Sequence, residues 1–437
     1  MYVLYTICLC FIGLGLFPYL CWRCLQGAGY HRDLAERFGS GPSFRMLSAD
    51  VVDCLWFHAA SVGEVHGIQP LIACLHQRFP ACPVVVSAFT PSGKMMAQRM
   101  IPEADHVFLL PFDLPWIVRR VVRRLRPRAV IVQETELWPQ LFRAVAGRQR
   151  PVIIVNGRLS PRSVRRYLWV RALMRRLLSD VTLVVAQTHD SAQRFQGLGL
   201  ARDRIKVVGN TNIDRALLAA QHTPRHVLAA HVIGRRILVG GSTHEGEETA
   251  LLKVYRQLRQ EYSDLLLILA PRHMERVETV IRHVHTAGCK ALRRSRLAAL
   301  EAGALDGDAV VILDTLGELA ALYQLCTIAF IGGSLVPVGG HNVLEPAVFA
   351  KPLLFGPHMH HFPELAQMLC QSGGAIQVQH GEDLYGVIAH LLRKPDAASA
   401  MGHCALEALR ANQGALARTC DLVSTLLQQD GVRDSNL

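Results

Sequence analysis

Charged side chains are absent from the first 20 residues of this 437-residue chain, Met1 to Leu20. A cleavable signal peptide would need a basic start and a small-residue cleavage site, and this segment has neither. It is long enough to enter or span a bilayer, and Arg23, Arg32 and Arg37 follow it. Because positive charge marks the cytoplasmic flank of a membrane segment, we expect residues 1–24 to be a membrane anchor with a cytoplasmic body behind it.

Acidic residues are scarce as well: 35 Asp and Glu stand against 47 Lys and Arg, a net charge of +12. Between residues 117 and 176 only Glu134 and Glu136 are acidic, while arginines crowd the segments 119–128 and 162–176. Such clusters are typical of proteins that meet anionic membranes or phosphorylated substrates. Nucleic acid is disfavoured as a partner, because no binding motif or aromatic platform accompanies the charge.

Regular cysteine spacing is missing although the chain has 12 cysteines. The pattern predicts neither a zinc site nor a disulfide framework, and we expect reduced thiols. The histidines at 358–361 have no carboxylate at a spacing that would complete a metal site. The glycine-rich segment at 240–248 ends in acidic residues and lacks the lysine of a P-loop. We therefore expect no metal and no other cofactor.

From about residue 50, short apolar strands alternate with amphipathic helices, which predicts parallel sheets with helical crossovers. We expect two Rossmann-like domains, at 35–215 and 237–425, joined by a polar connection at 216–236 and facing a cleft. The strands predicted for the first domain are Cys54–Phe57, Val84–Ser87, Ala129–Gln133, Val152–Val155, Leu183–Ala186 and Lys206–Val208. Those predicted for the second are Ile237–Gly240, Leu265–Ala270, Val310–Leu313, Ile328–Gly332 and Pro352–Phe355.

Carboxylates follow two strands of the first domain. Glu64 comes shortly after Cys54–Phe57, where a helical pattern begins, and Glu134 and Glu136 directly follow Ala129–Gln133. The carboxyl ends of parallel strands share one edge of a sheet, so we expect these side chains to face the same site. Neighbouring carboxylates push their pKa values apart and suit general-base catalysis. The alternative is that they only stabilise the first turns of their helices.

The second domain carries loops suited to a nucleotide. Glycines at 240–246, 332–333 and 339–340 follow predicted strands, where small residues let backbone N–H groups approach an anion. Arg272 also follows a strand and is a natural phosphate ligand. Glu345 could accept hydrogen bonds from both hydroxyls of a ribose.

Motifs along nearly the whole chain resemble, in the same order, those of the 3-deoxy-D-manno-octulosonate (Kdo) transferases of lipopolysaccharide biosynthesis. The motifs that carry the resemblance are His58–Glu64, Thr90–Gly93, Glu134–Pro139, Asn156–Ser160, Gly241–Glu247, Pro271–His273, Leu316–Leu319, Gly332–Ser334 and His341–Pro346. The resemblance implies a GT-B fold and an inverting glycosyltransferase. It also implies CMP-Kdo as donor, a lipid A precursor (lipid IVA) as acceptor, and the cytoplasmic side of the inner membrane as location.

The same resemblance implies roles for individual residues. Glu64 would be the general base and Glu134 would support the transition state. Asn212 stands where the family usually has a lysine, so this position brings no charge to the departing phosphate. The residues implied in CMP binding are Pro271, Arg272, Leu316, Gly317, Glu318, Asn342, Val343, Leu344 and Glu345.

Two other functions fit the sequence. Another GT-B glycosyltransferase, using a UDP-sugar and a lipid-linked acceptor, would share the two domains and the glycine-rich loops. A membrane-tethered nucleotide-binding protein without enzymatic activity would share the fold, and Asn212 is the feature that favours it.

Overall fold

The computed structural model describes residues 1–26, 30–41, 44, 53–297 and 308–434. The chain divides into two compact units. Unit 1 comprises Met1–Arg215 and Gln413–Leu437, and unit 2 comprises Ala216–Asn412. Each is built around a parallel sheet, so the prediction of two α/β domains is confirmed.

Unit 1 contains a seven-stranded sheet. Its strands are β1 (Leu55–Ala59), β2 (Val84–Ala88), β3 (His106–Leu109), β4 (Ala129–Gln133), β5 (Val152–Gly157), β6 (Leu183–Ala186) and β7 (Ile205–Val207). They pair in parallel in the order β3-β2-β1-β4-β5-β6-β7. Every residue of β1, β2, β4, β5 and β6 is buried, because helices cover both faces of the sheet.

The helices of unit 1 return the chain from each strand to the next. They are α1 (Tyr2–Gln26), α2 (Tyr30–Arg37), α3 (Val62–Arg78), α4 (Pro91–Met100), α5 (Pro115–Leu125), α6 (Pro139–Ala146), α7 (Pro161–Trp169), α8 (Arg171–Ser179) and α9 (His189–Gly197). In α3 the helical spacing of Val65, Ile68, Leu71 and Leu75 places these apolar side chains in the core. That packing fixes the helix whose first turn carries Glu64.

Unit 2 repeats the architecture with a second seven-stranded parallel sheet. Its strands are β8 (Arg236–Thr243), β9 (Leu265–Pro271), β10 (Lys290–Arg293), β11 (Ala309–Ile312), β12 (Ile328–Ile331), β13 (Leu353–Phe355) and β14 (Ala375–Gln377), in the order β10-β11-β9-β8-β12-β13-β14. A helix α10 (Thr211–His222) leads into this unit. The others are α11 (Glu247–Arg259), α12 (Val277–Thr286), α13 (Arg294–Leu297), α14 (Leu319–Leu322), α15 (Leu344–Ala347), α16 (Pro363–Gln371), α17 (Asp383–Arg393) and α18 (Pro395–Ala411).

The predicted strands are confirmed, with shifts of a few residues at their ends. The sequence patterns did not predict β3, β10 and β14. All three lie at an edge of their sheet, and they include partly exposed residues. Edge strands are covered on fewer sides, so they lack the continuous apolar run that marks a central strand.

The predicted domain boundaries need correction at the C-terminal end. The last helix, α19 (Ala415–Asp434), belongs to unit 1, although the sequence analysis assigned residues to 425 to the second domain. The carboxylate of Asp214 accepts the backbone N–H groups of Gly414 and Leu416 at 2.5 and 3.2 Å and so fixes the start of α19. The predicted connection at 216–236 lies within unit 2 and begins inside a helix.

The N-terminal helix α1 attaches to unit 1 through its first two turns. The hydroxyl of Tyr2 donates to Asp180 at 2.5 Å, and that of Tyr5 donates to Asp113 at 3.0 Å. Beyond these contacts, apolar side chains such as Phe11 and Leu14 are about 70% exposed. Over the described residues, no helix is both long enough and apolar enough to cross a membrane.

Cysteine pairing also differs from the expectation of reduced thiols throughout. Cys74 of α3 and Cys420 of α19 form a disulfide across 346 residues of sequence. Cys420 packs among apolar side chains of the same core that holds Leu71 and Leu75. Two cysteines so far apart in the chain carry no spacing signal, and only the return of α19 to unit 1 brings them together.

Reduction of this bond should destabilise unit 1. A cross-link that closes a long loop restricts the unfolded chain and typically contributes about 2–4 kcal/mol to the free energy of unfolding. We expect the melting temperature of the wild type to fall when dithiothreitol is added, as followed by circular dichroism. The double variant Cys74→Ser/Cys420→Ser should melt at the lower temperature and show no response to the reductant. An unchanged wild-type melting temperature would contradict the stabilising role.

Candidate active site

Glu64 lies in the first turn of α3, at the carboxyl edge of the unit 1 sheet. Its carboxylate accepts the backbone N–H of Ala60 at 2.9 Å and the hydroxyl of Ser61 at 3.2 Å. The side chain thus binds the two residues that precede its own helix. This contact holds the carboxylate in one position against the loop that follows β1.

The environment of Glu64 favours the protonated form. Burial raises its pKa to about 7, the Ala60 N–H opposes that shift, and the neighbouring charges of Glu134 and Glu136 add to it. A carboxyl group that titrates near neutral pH can exchange a proton with a substrate under physiological conditions. The expectation that Glu64, Glu134 and Glu136 lie together is therefore met, and their mutual repulsion is part of the site.

Glu134 follows β4 in a left-handed backbone conformation, with φ of 57°. Its N–H donates to the carbonyl of Val155 at 2.8 Å, so the turn is held by the neighbouring strand. Burial raises the pKa of Glu134, and the positive charge of Arg158 opposes the shift. A non-glycine residue in this conformation is strained, and such strain is concentrated at functional sites.

Aromatic rings line this edge beside the carboxylates, and the sequence analysis assigned them no catalytic role. His58 lies in β1 and is fully buried, and burial lowers its pKa to about 4. Its Nε2 lies 4.0 Å from the carboxylate of Glu136, but a neutral imidazole forms no ion pair there. Trp138 packs edge-on against His58 and obliquely against Phe89. These rings limit water access to the carboxylates.

Asn212 lies in the first turn of α10 and faces α3. Its side-chain oxygen is 3.2 Å, and Gln133 Nε2 2.8 Å, from the position that a Cβ on Gly67 would occupy. Gly67 therefore leaves room for both side chains one turn beyond Glu64. Asn212 therefore lies within about one helical turn of Glu64 in unit 1, and its role in the site stays a prediction.

In unit 2 the glycine-rich loop after β12 is already occupied by a carboxylate. Glu247 accepts the backbone N–H groups of Gly333, Ser334 and Leu335 at 2.7 to 3.0 Å, and that of His244 at 2.9 Å. These N–H groups are thus not available to an external anion. The prediction that this loop cradles a phosphate through its backbone needs correction at these three residues.

The glycines of this region are required by packing. A Cβ on Gly241 would lie 1.8 Å from the hydroxyl oxygen of Tyr323, and one on Gly332 would lie 2.3 Å from the carbonyl oxygen of Ser242. Gly332 lets the ends of β8 and β12 approach each other, and Gly241 leaves room for the Tyr323 side chain. The sequence pattern of these glycines is the same whether they allow close packing or bind an anion, so it could not distinguish the two roles.

Side-chain donors are gathered beside the loop instead. His244 and His341 stack with parallel rings, and their Nε2 atoms are 2.8 Å apart. His273 meets His244 edge-on, and Arg272 is close enough to lower the pKa of both stacked imidazoles. Burial is the main cause of these shifts and lowers the pKa of His341 to about 4. Among the described residues, the exposed guanidinium of Arg272 pairs with no carboxylate.

The other predicted nucleotide residues form two short networks. Glu318 accepts from Arg294 at 2.9 Å and from Thr315 at 2.8 Å, which fixes the loop that contains Leu316 and Gly317. Asn342 donates to Glu345 at 3.0 Å and accepts the Leu344 N–H at 3.1 Å. These two contacts set the start of α15, where Val343 is buried.

Sequence reasoning missed the roles of Glu247 and of the His244–His341 pair. A glutamate in a first helical turn is common, and nothing in its spacing indicates that it fills a loop almost 90 residues away. Within the described part of the chain, no group of three or more His, Cys, Asp or Glu side chains is placed to hold a metal ion.

The chain is similar to known proteins along most of its length. A family model described as 3-deoxy-D-manno-octulosonic-acid transferase (kdotransferase) matches residues 32–215. The chain is 34% identical over 426 residues to the 3-deoxy-D-manno-octulosonic acid transferase of Haemophilus influenzae, which spans 97% of this chain and 96% of that protein. It is 29% identical over 414 residues to the Bordetella pertussis transferase of the same name, with 93% and 95% covered.

Among solved structures, the chain resembles UDP-GlcNAc 2-epimerase from Neisseria meningitidis, with a TM-score of 0.59 at 14% identity. The likeness covers 83% of this chain and 99% of that one. At this level of identity it shows the fold alone, namely two parallel-sheet α/β domains of the GT-B-like kind.

The raised pKa of Glu64 predicts a pH-dependent stability difference between the wild type and Glu64→Gln. From about pH 4.5 to about pH 7, folded Glu64 retains a proton that the unfolded chain has lost, so the free energy of unfolding of the wild type falls as the pH rises. Glutamine cannot ionise and still accepts the Ala60 N–H. We expect the variant to gain stability relative to the wild type across this window, with no further gain above it.

Chemical denaturation at about pH 5 and about pH 8 measures this difference. A Ser61→Ala variant, which keeps the carboxyl group, should retain the wild-type pH dependence. The same stability difference at both pH values would contradict a raised pKa of Glu64.

Proposed function

The chain belongs to the family of 3-deoxy-D-manno-octulosonic acid (Kdo) transferases and is a glycosyltransferase of lipopolysaccharide biosynthesis, and from this premise we propose that it transfers Kdo from CMP-Kdo to a lipid A precursor (lipid IVA). The observation that carries the proposal is the half-buried Glu64 carboxyl group with a pKa of about 7 at the sheet edge of unit 1. Unit 2 would bind the donor and unit 1 the acceptor.

Glu64 acts as the general base in this proposal. A sugar hydroxyl is a poor nucleophile at neutral pH, and a positioned carboxylate must accept its proton as it attacks the anomeric carbon. The bond between that carbon and the phosphate oxygen breaks, and both electrons remain on the oxygen of the departing CMP. In-line displacement inverts the anomeric centre. Glu134 supports the positive charge that develops on the sugar.

Two arginines of unit 1 supply positive charge near Asn212. Arg158 is close enough to Glu134 to oppose the rise of its pKa. Burial lowers the pKa of His66, and Arg215, one helical turn after Asn212, is close enough to add to that shift. Asn212 itself contributes hydrogen-bonding groups only. The charge that the family usually places at this position would come from these neighbours.

The leaving phosphate is bound by side chains of unit 2. Glu247 occupies the backbone N–H groups at 333–335, so Arg272, His244 and His341 are the donors left at this edge. When the bond to Kdo breaks, the phosphate gains a negative charge. A guanidinium and two imidazoles that share a proton are suited to stabilise it.

The nucleoside would contact the two loops that the hydrogen-bond networks hold in place. Leu316 is 82% exposed and Gly317 has φ of 82°, so this loop offers backbone groups at the surface. Because Arg294 and Thr315 occupy the Glu318 carboxylate, Glu318 would take part through its backbone. Pro271 closes the end of β9, and the 342–345 segment would contact the ribose through Glu345.

We place the protein at the cytoplasmic face of the inner membrane, with α1 in contact with the bilayer. This placement is supported by the exposed apolar side chains of α1 and by the arginine-rich helices of unit 1. Apolar residues on a helix surface together with nearby cationic side chains favour binding to anionic membranes.

Replacement of the base tests the mechanism. Glu64→Gln should reduce Kdo transfer by about 100-fold to 10,000-fold, the usual contribution of a general base. It should leave CMP binding near the wild-type level, because unit 2 is unchanged. In the wild type, kcat/KM should rise with pH through about 7 as Glu64 loses its proton. Products are read by mass spectrometry with CMP-Kdo generated in situ.

Retained transfer in Glu64→Gln would remove this residue from the base role. Thermal-shift measurements with CMP and with UDP separate the proposed donor from a UDP-sugar. Stabilisation by UDP and not by CMP would overturn the donor assignment.

The histidine pair should recognise the phosphate and not the nucleoside. Hydrogen bonds to a charged group typically contribute about 1.5–3 kcal/mol, so His244→Gln and His341→Gln should each weaken CMP binding by about tenfold or more. Cytidine, which lacks the phosphate, should bind as it does to the wild type. Calorimetry measures both ligands. His390→Gln, on the exposed face of α17, is the matched control and should leave both affinities unchanged. Equal losses for CMP and cytidine would assign the pair a structural role.

A further inference from the structure

A second polar site lies in unit 1, in a groove between helices α5, α6 and α8. Its volume is about 720 Å³. The residues that give the groove its character are Trp116, Arg119, Arg123, Arg143, Arg148 and Arg176. We call this site the arginine groove. Neither the family resemblance nor the proposed catalytic residues account for it.

The arginine groove holds more positive side chains than negative ones. Its lining includes a single carboxylate, Asp180, and this group already accepts the hydroxyl of Tyr2. Within the described ranges, none of the five lining arginines forms an ion pair with a carboxylate. Guanidinium groups brought together without counter-charges repel one another. An anion bound in the groove would relieve that repulsion.

The donor geometry indicates the class of anion. Guanidinium groups present paired N–H donors that match the oxygens of a phosphate. Arg119 and Arg123 lie one helical turn apart on α5, while Arg143 and Arg176 approach from α6 and α8. Donors from three helices can therefore contact different oxygens of one phosphate group.

Three of the groove's arginines lie away from the catalytic edge, although Trp116 and Gln140 of its lining are in the first turns of their helices. Helix α6 begins near the carboxyl end of β4 and runs back toward the opposite edge of the sheet. Arg143 lies in its last turn and Arg148 beyond its end, and Arg176 lies in the last turn of α8. Glu64 and Glu134 lie at the carboxyl edge, where the helices begin. A phosphate among these arginines is thus separate from the hydroxyl that reacts.

The groove adjoins the attachment of α1. Gln140 and Asp180 both line the groove, and they also bind Thr6 and Tyr2 of α1. Past these residues α1 exposes its apolar side chains, and Trp116 in the lining of the groove is 56% exposed. Tryptophan is favoured at membrane interfaces, where its ring meets both apolar and polar surroundings. A ligand here would have a phosphate in the groove and apolar chains beside α1.

From these observations we propose that the arginine groove binds the phosphate headgroup of an anionic phospholipid at the membrane surface. The proposal rests on the membrane location given above and adds to it a specific site. Diffuse attraction to a charged surface requires only that arginines be exposed. A specific site requires that the arginines lining the groove contribute more to membrane binding than exposed arginines outside it.

Helix α5 provides a matched pair of variants for this distinction. Arg119 and Arg123 line the groove, whereas Arg120 and Arg124 are equally spaced, equally exposed and outside its lining. Arg119→Gln/Arg123→Gln and Arg120→Gln/Arg124→Gln remove the same charge from the same helix. Binding of the full chain to phosphatidylcholine vesicles with a minority of phosphatidylglycerol is measured by flotation, with circular dichroism to verify folding.

Both variants lose the general attraction of two charges to an anionic surface. The groove variant should also lose charge-assisted hydrogen bonds to the phosphate, and its binding should be weaker than that of the matched variant by a further factor of about ten or more. Equal losses of binding in the two variants would contradict a specific phosphate site in the groove, while the proposal of membrane association would stand. No flotation of the wild type would overturn both proposals.

Two further arms identify the source of the phosphate. Vesicles of phosphatidylcholine doped with the lipid A precursor, without phosphatidylglycerol, test whether the acceptor's phosphates occupy the groove. If the groove variant loses binding only to these vesicles, the phospholipid assignment is wrong. Competition by inorganic phosphate at concentrations that leave the matched variant unaffected would assign the groove to a free anion and would also overturn it.

Discussion

The partial burial of the Glu64 carboxyl group at the sheet edge of unit 1 is the constraint on which the proposed catalytic site depends. Glu64 is held by the Ala60 N–H, and this hydrogen bond favours ionisation, while burial and two neighbouring carboxylates disfavour it. The balance brings the pKa to about 7. At neutral pH a more exposed carboxylate would be ionised but too weakly basic to accept the proton of a hydroxyl group. A carboxyl group fully shielded from water would stay protonated. The packing of α3 against the core maintains this intermediate state.

Unit 2 shows a different use of a buried carboxylate. Glu247 binds the N–H groups of the glycine-rich loop, so the protein supplies its own anion where a nucleotide phosphate would be expected. The loop is therefore ordered before any ligand binds. In the proposed mechanism, recognition of the phosphate passes to the Arg272 guanidinium and to the stacked, neutral imidazoles of His244 and His341. Preorganisation and charge stabilisation are thus provided by separate groups.

The sequence predicted the parts of the fold that depend on local pattern. Central strands such as Ala129–Gln133 are continuous apolar runs, and the carboxylates that follow them could be assigned to one edge because parallel strands end there. Contacts between distant segments carry no such pattern. Three such contacts depend on the tertiary fold alone. They are the attachment of α19 to unit 1, the Cys74–Cys420 disulfide, and the hydrogen bonds of Glu247 to the 333–335 loop.

In the proposed mechanism, the site keeps its geometry at Asn212 while other residues supply the charge. Its backbone position is fixed by Asn156, whose side chain accepts the Thr211 N–H at 3.1 Å, and its own side chain occupies the space that Gly67 leaves. A longer cationic side chain at this position would have to extend past Gln133 toward the carboxylates. Arg158 and Arg215 instead bring guanidinium groups toward Glu134 and His66 from either side. The electrostatic field at the catalytic edge then depends on the sum of these charges and not on a single residue.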